Sequence, residues 1–310
     1  MISIALATYN GEKYLREQLD SILSQTYQDF EIVICDDCST DSTWDILQEY
    51  IIEDKRIKIY RNSENIGFKK NFEKAISLCK GEYIALSDQD DIWTSNHLDV
   101  LLGIIGNNSV ACGNAQIINE FGVDKGYDLR FLEGLDKVYN DNLDVAYRIL
   151  LNKNPFQGAS MLINRLFLTK ALPIPEGVNY HDAWFAALSC VEGRFVYTST
   201  IINKYRQHSD NVTSLVEKTF FNRIKHFTLQ TAAESDRSFY CKAITERLNK
   251  EKMSGVQLQF IDNVSWYYNN ISKRRYRLAL AFFRFKHYSK IYSTSSKKLF
   301  LIRLIKFLFT

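Results

Sequence analysis

Short apolar runs alternate with amphipathic stretches through the first 120 residues, and this alternation restricts the chain to a sheet layered with helices. Ile2 to Ala7, Glu31 to Cys35, Ile57 to Tyr60 and the run Tyr83-Ile84-Ala85-Leu86 read as strands. Between them, Leu15, Leu19, Ile22 and Leu23, then Trp44, Leu47 and Ile51, then Phe68, Phe72, Ala75, Ile76 and Cys79 recur at helical spacing. Strand, helix and parallel strand at this interval predict strand ends that open together on one edge of the sheet. Ser39-Thr40-Asp41-Ser42 supplies a helix start and Gly81 a helix stop. A helix over 96–105 and a strand over 110–118 complete this half. Residues 120–155 look irregular, with Asp and Gly among aromatics, and read as a mobile loop over a site. Strands over 158–164 and 195–199 and a helix over 183–190 follow, and from 217 onward the chain reads as helical and increasingly basic.

The fourth strand runs straight into Ser87-Asp88-Gln89-Asp90-Asp91, three carboxylates in four positions. Like charges this close repel, so either a bound cation or solvation in an exposed loop must relieve them. Oxygen ligands with no Cys or His beside them suit Mg²⁺ or Mn²⁺ better than Zn²⁺. A solvated turn or a capped helix start is the alternative, and Asp91 fits a cap for the helix that follows.

Bulk properties narrow the classes. At 310 residues, 46% of them hydrophobic, the chain has ample material for a core, and its three prolines, Pro155, Pro173 and Pro175, leave no low-complexity tract. The sequence opens directly on a strand with no basic leader, so a cytoplasmic location is expected. Six scattered cysteines fit reduced thiols, and Cys35 and Cys38 form one C-x-x-C without a second pair. The net charge of +3 conceals an asymmetry: no acid follows Asp262, and the last 48 residues carry 11 Lys and Arg. Taking those 11 from +3 leaves the first 262 residues at −8. Such a tail points to an anionic surface.

Three polar strand ends converge on the predicted edge: Thr8-Tyr9-Asn10-Gly11, Asp36-Asp37-Cys38-Ser39-Thr40-Asp41, and the acids at 88–91. Tyr9 offers a flat face for a nucleobase, and Asp37 an acceptor for the ring N–H of uracil or thymine. No G-x-x-x-x-G-K-[ST] is present and no G-x-G-x-x-G follows the first strand, which removes the main support for ATPase and dinucleotide readings.

These motifs resemble those of family 2 glycosyltransferases of the GT-A fold. The likeness rests on Ala7 to Gly11, Ser24 to Val33, Asp36 to Asp41, Asn65-Ile66-Gly67, and Gly81 to Ala85 leading into the acids, all within about the first 110 residues. It implies an α/β Rossmann-like, mostly parallel sheet over 1–215, with a nucleotide and metal half (1–120) and an acceptor half (121–215), then a helical region over 216–310. It also implies donor binding by Thr8, Tyr9, Asn10, Asp37, Asn65, Gly67 and Asp88, with Asp90 the main ligand of Mn²⁺ or Mg²⁺ and Asp88 in support. Tyr180-His181-Asp182-Ala183-Trp184-Phe185 matches the motif of the catalytic base, which makes Asp182 the base and places His181 and Trp184 toward the acceptor. Tyr205-Arg206-Gln207-His208 resembles the closing motif, with Arg206 on phosphate and His208 on phosphate or metal. Asp37 is followed by Cys38 where the family usually has a smaller residue.

The forms of the acid, base and closing motifs are similar to those of bacterial rhamnosyltransferases of surface-polysaccharide synthesis that use dTDP-L-rhamnose. UDP-hexose and UDP-N-acetylhexosamine donors stay open, because motifs do not show pocket shape. The resemblance implies inverting transfer to a lipid-linked or growing saccharide. From Lys273 to Thr310, Lys and Arg interleave with Phe, Leu, Ile and Tyr, and the apolar runs are far shorter than the roughly 20 residues of a span. Residues 273–310 are therefore expected on an anionic membrane surface, with packing on the catalytic domain or in a homo-oligomer as the alternative. Nucleic acid is not an expected partner. A metal-dependent phosphohydrolase is disfavoured because Ile92 stands where D-x-D-x-T needs Thr. A binding module would not need Asp182, and a glycosidase needs carboxylates flanking a sugar instead of a cluster.

Overall fold

The computed structural model describes residues 1–133, 141–209, 211, 238–270 and 277–291. β1 (Ile2–Thr8), α1 (Leu15–Leu23), β2 (Phe30–Asp36), α2 (Thr43–Glu53), β3 (Ile57–Arg61), α3 (Phe68–Leu78) and β4 (Tyr83–Asp88) follow in the expected alternation. β1 pairs in parallel with β2 and β4, and β2 with β3. Side chains on a strand alternate between faces, and here both faces are covered. Ala5, Val33 and Cys35 pack with Phe72, Ala75 and Ile76 of α3 on one side. Ile4, Leu6, Ile32 and Ile34 pack with Leu15, Leu19, Ile46 and Leu47 of α1 and α2 on the other. Register puts Thr8 beside Asp36 and Ala7 beside Asp88, so the three polar ends share one edge.

The second half adds β5 (Ile92–Trp93), α4 (His97–Ile105), β6 (Val110–Asn119), β7 (Asp124–Asp128), α5 (Leu129–Glu133) and α6 (Asn142–Leu151). A 3₁₀ turn (Gly158–Ser160), β8 (Met161–Asn164), α7 (Arg165–Ala171), α8 (His181–Glu192) and β9 (Phe195–Gln207) come next. The sheet order is β3-β2-β1-β4-β8-β6-β9-β5, with β7 on β6. β8 runs antiparallel to both β4 and β6, so the sheet is parallel through its first half and mixed beyond β4.

Several expectations change. Residues 120–155 are not one loop: α6 buries Val145, Ala146, Ile149 and Leu150, and Asp141 caps it by accepting from the Asp144 amide at 2.8 Å. β9 continues past Ser199 to Gln207 because Ile202 and Tyr205 return to apolar clusters. α3 ends at Leu78, before Gly81. Gly81 serves close packing instead, since a Cβ there would stand 2.5 Å from the Ser3 amide nitrogen. At the start of α2 the capping group is Asp41, whose Oδ1 accepts from the Thr43 amide at 3.0 Å.

α9 (Ser238–Leu248), α10 (Gly255–Asn270), α11 (Arg277–Lys286) and α12 (Tyr288–Ile291) form the C-terminal part. Ile244, Phe260, Val264, Tyr267 and Leu280 join the same apolar cluster as Trp184 and Phe185 of α8. Among the described residues no helix is long and apolar enough to cross a membrane. Leu278, Phe282 and Phe285 are exposed on the outer face of α11. The expectation for the end of the tail, 292–310, lies outside the described residues, as does that for 216–237.

Gly81→Ala should destabilise the fold by about 1–3 kcal/mol, because the Ser3 nitrogen and the Ile2 carbonyl carbon in its way are backbone and cannot swing away. Urea unfolding would show this as a lower midpoint with an unchanged slope.

Candidate active site

The site is assembled from the loops that leave β1, β2 and β4. Asn10 sits in the left-handed region (φ 48), which Asn tolerates, and this turns the β1 loop toward β2. There the loops are laced together: Asn10 N–H donates to Ser39 Oγ (2.9 Å), Asn10 Oδ1 accepts from the Thr40 amide (2.9 Å), and Gly11 N–H donates to Thr43 Oγ1 (2.7 Å). Thr8 is buried and donates to Asp36. Thr8 and Asn10 thus shape the loop. Tyr9, 46% exposed, is open to solvent just past the end of β1. Gln89 holds it there, with Oε1 accepting from the Tyr9 amide (2.9 Å) and Nε2 donating to the Tyr9 carbonyl (3.0 Å).

Asp37 is buried and anchors the third loop. Its Oδ1 accepts from Asn62 Nδ2 (2.7 Å) and the Ile66 amide (2.9 Å), and its Oδ2 from the Gly67 amide (2.9 Å). A carboxylate has about four acceptor positions, so Oδ2 keeps one for a ligand. Asn65 Oδ1 also accepts from the Gly67 amide (3.1 Å), and the φ of 85 at Gly67 requires glycine there.

The acids divide by environment. Asp91 is fully buried: Oδ2 accepts from Gln157 Nε2 and Asn203 Nδ2, both at 2.8 Å, and Oδ1 from the Arg206 amide at 3.1 Å. Burial, then Asp90 and Asp88, push its pKa well above the carboxylate range. Asp91 is therefore an internal tie, not the helix cap expected from sequence. Asp90 Oδ2 lies 2.8 Å from His208 Nε2. Burial, with Asp90 and Asp182 nearby, raises Asp88 to about 8.

Asp182 stands in the first turn of α8. Its Oδ1 accepts from the Ala183 amide at 2.5 Å, and Asn154 and the Gly158 backbone also reach it. Burial outweighs these bonds and raises its pKa to about 6. Asp182 and Asp88 lie 94 positions apart in sequence, yet Asp182 is one of the charges that raise Asp88.

Residues 3–172 match the model of glycosyl transferase family 2, more than half of the chain. The chain belongs to that family. An uncharacterized glycosyltransferase of Rickettsia typhi is 27% identical over 290 residues, 91% of this chain and 84% of the relative. A UDP-Glc:alpha-D-GlcNAc-diphosphoundecaprenol beta-1,3-glucosyltransferase of Escherichia coli is 41% identical over 98 residues, 32% of this chain and 38% of that protein. Among solved structures, S. aureus TarS 1–349 in complex with UDP-GlcNAc aligns with a TM-score of 0.58 at 18% identity, covering 99% of this chain and 89% of that one. At that identity the likeness shows the fold, which is GT-A. A mannosyltransferase of Pyrobaculum calidifontis, solved with GDP-Man and Mn²⁺, aligns at 0.50 and 14% identity, covering 99% and 86%.

In this glycosyltransferase two residues leave the roles their motifs implied. Arg206 is not free for phosphate: it is 2% exposed, with Nε donating to the Asp90 carbonyl (2.8 Å) and Nη1 to the Glu120 carbonyl (3.2 Å). Nη2 pairs with Glu17, and the guanidinium lies 4.6 Å from the centre of the Tyr14 ring. The Tyr14 ring also lies 4.9 Å from that of His208, so Arg206 and Tyr14 together seat His208 on Asp90. Trp184 is fully buried and donates to the Ala171 carbonyl (2.8 Å), so it packs in the core. His181 is buried against Phe72, ring centroids 4.3 Å apart.

Among the described residues no group of three or more His, Cys, Asp or Glu is placed to hold a metal by itself. The Asp90 and His208 pair supplies one oxygen and one nitrogen donor, with Asp88 alongside. Those two donors would fit a divalent cation most of whose shell comes from water and substrate phosphate oxygens. Gln89 and Asp91 were not legible as site residues, since an amide between acids and a third acid carry no signal of their own.

Arg206→Lys should lower stability by about 2–3 kcal/mol in urea unfolding, because an ammonium cannot span Asp90, Glu120 and Glu17 together. Unchanged stability would return Arg206 to a ligand-binding role.

Proposed function

We propose that this glycosyltransferase moves a sugar from a nucleoside diphosphate donor to a hydroxyl of a lipid-linked or growing saccharide, with inversion. The observation that carries the reading is the convergence of Asp182 with Asp88 and the Asp90 and His208 pair, beside the loops of Tyr9 and Asp37. Tyr9 stacks on the base and the remaining Oδ2 position of Asp37 accepts its ring N–H. The Asn65 to Gly67 loop closes that pocket. Asp90 and His208, with Asp88 nearby, would hold Mn²⁺ or Mg²⁺, and the ion would neutralise the diphosphate. Asp182 takes the proton of the acceptor hydroxyl while its oxygen bonds to the anomeric carbon and the bond to the diphosphate breaks. A base near pKa 6 is ionised at neutral pH and still accepts a proton.

The best donor candidate is dTDP-L-rhamnose, on the likeness of the acid, base and closing motifs to those of rhamnosyltransferases. UDP-glucose and UDP-N-acetylglucosamine are the second reading, supported by the names of the E. coli relative and of the TarS complex. The relative's name also supports a polyprenyl-diphosphate-linked acceptor. A reading in which the chain meets the inner face of the cell membrane is supported by the exposed Leu278, Phe282 and Phe285 of α11, with Lys286, in a segment that carries no acid.

Screening dTDP- and UDP-sugars with Mn²⁺ for slow donor hydrolysis tests the reading, and inertness toward all of them would count against it. Asp182→Asn should remove transfer, by roughly 10²–10⁴-fold or more, and leave donor binding intact. Asp90→Ala should weaken Mn²⁺ and donor binding together in calorimetric titration. For the free enzyme, kcat/KM should fall as pH drops through about 6, because the raised pKa of Asp182 makes it neutral below that value.

A further inference from the structure

A single side-chain amide joins the acid loop to the loop that carries Tyr9. Gln89 stands between Asp88 and Asp90, directly past the end of β4, and reaches across to the loop that leaves β1. Its Oε1 accepts from the Tyr9 amide (2.9 Å) and its Nε2 donates to the Tyr9 carbonyl (3.0 Å). Only this orientation of the side chain serves both groups, since a backbone N–H needs an acceptor and a carbonyl needs a donor. The two bonds grip the peptides on either side of the Tyr9 Cα. They therefore fix the backbone from which the exposed ring projects.

The residues that flank Tyr9 are tied elsewhere. The Thr8 carbonyl accepts from the Asp37 amide (2.8 Å), and Asn10 and Gly11 bond to Ser39, Thr40 and Thr43. Tyr9 thus takes its backbone support from the acid loop while its neighbours take theirs from the loop after β2. Gly11 adds a second, independent observation. A Cβ there would stand 2.5 Å from Gln89 Cδ and closer still to Oε1. Gly11 does not have a positive φ, so its backbone conformation makes no demand for glycine. The space that a side chain at 11 would contest is the space the Gln89 amide occupies.

We propose that Gln89 is a positioning residue for the nucleobase: it sets the Tyr9 ring relative to the acid loop, and Gly11 leaves the room it needs. The inference rests on the glycosyl-transfer reading above, in which Tyr9 stacks on the base and the acids serve the diphosphate. The base and the diphosphate of one nucleotide span a limited distance, so the two loops must keep a set spacing. A side chain rooted in one loop and bonded to the backbone of the other supplies that spacing. Holding the ring in place before the nucleotide arrives removes an ordering cost from binding.

Calorimetric titration of the full chain with Mn²⁺ tests it, using UDP and dTDP as probes that carry a base and inorganic pyrophosphate as the probe that does not. Gln89→Ala should weaken the better-bound nucleoside diphosphate roughly five- to tenfold and leave pyrophosphate as before. Gly11→Ala should do the same, because the far end of a flexible side chain yields before the backbone does. In a Tyr9→Ala background, which keeps the backbone and removes the ring, Gln89→Ala should bring no further loss. Unchanged nucleotide affinity in either the Gln89 or the Gly11 variant overturns the proposal. An equal loss for pyrophosphate, or a Gln89→Ala loss that persists without the Tyr9 ring, also overturns it and marks a role in the acid loop alone. Failure of the wild type to bind any nucleoside diphosphate would instead defeat the glycosyl-transfer reading itself.

Discussion

The Asp91 carboxylate holds the two halves of the site together. It lies in the loop between β4 and β5, yet its three partners come from just before the turn that precedes β8 and from β9. Taking a carboxylate fully out of water is costly unless donors surround it, and Gln157, Asn203 and the Arg206 amide do so. The consequences reach both ways. Gln157 fixes the turn that carries Gly158 beside Asp182, and the Arg206 amide fixes the end of β9 that carries His208 to Asp90. Residues more than 60 positions apart become neighbours through one side chain.

Around that tie, the other carboxylates are left in tension. Asp88 is raised by burial and by Asp90 and Asp182, and Asp182 by burial alone among its raising causes. A fold selected only for stability would replace such a cluster with apolar residues of similar volume. Buried carboxylates with displaced pKa values mark a place where charge is handled, as the proposed reaction requires. Arg206 contributes from outside: buried between Tyr14, Glu17 and the Asp90 carbonyl, it braces the loop without entering the cleft.

Much of this was legible in the chain. Alternating apolar runs and helical stripes specified β1 to β4 and their helices, because local periodicity and burial agree there. The shared edge of Thr8, Asp36 and Asp88 followed from parallel pairing. What was missed depended on contacts distant in sequence. α6 looked irregular because its aromatic and acidic residues obscure the stripe that the core of α8 and α10 buries. Gly81 looked like a helix stop, but its small size serves the approach of Ser3. Arg206 and Trp184 carried family motifs and were placed in the cleft, whereas packing withdrew both into the interior.

By itself the sequence determined the α/β layering, the polar strand ends, and the residue types on which the proposed reaction rests. These follow from periodicity and side-chain chemistry, which are local. Only the tertiary structure decided that Asp91 is the internal tie, that Gln89 holds Tyr9, and that the His181 ring packs closely on Gly158. Those outcomes depend on burial and on partners brought together by the fold, and no spacing in one dimension encodes which donors will surround a given carboxylate.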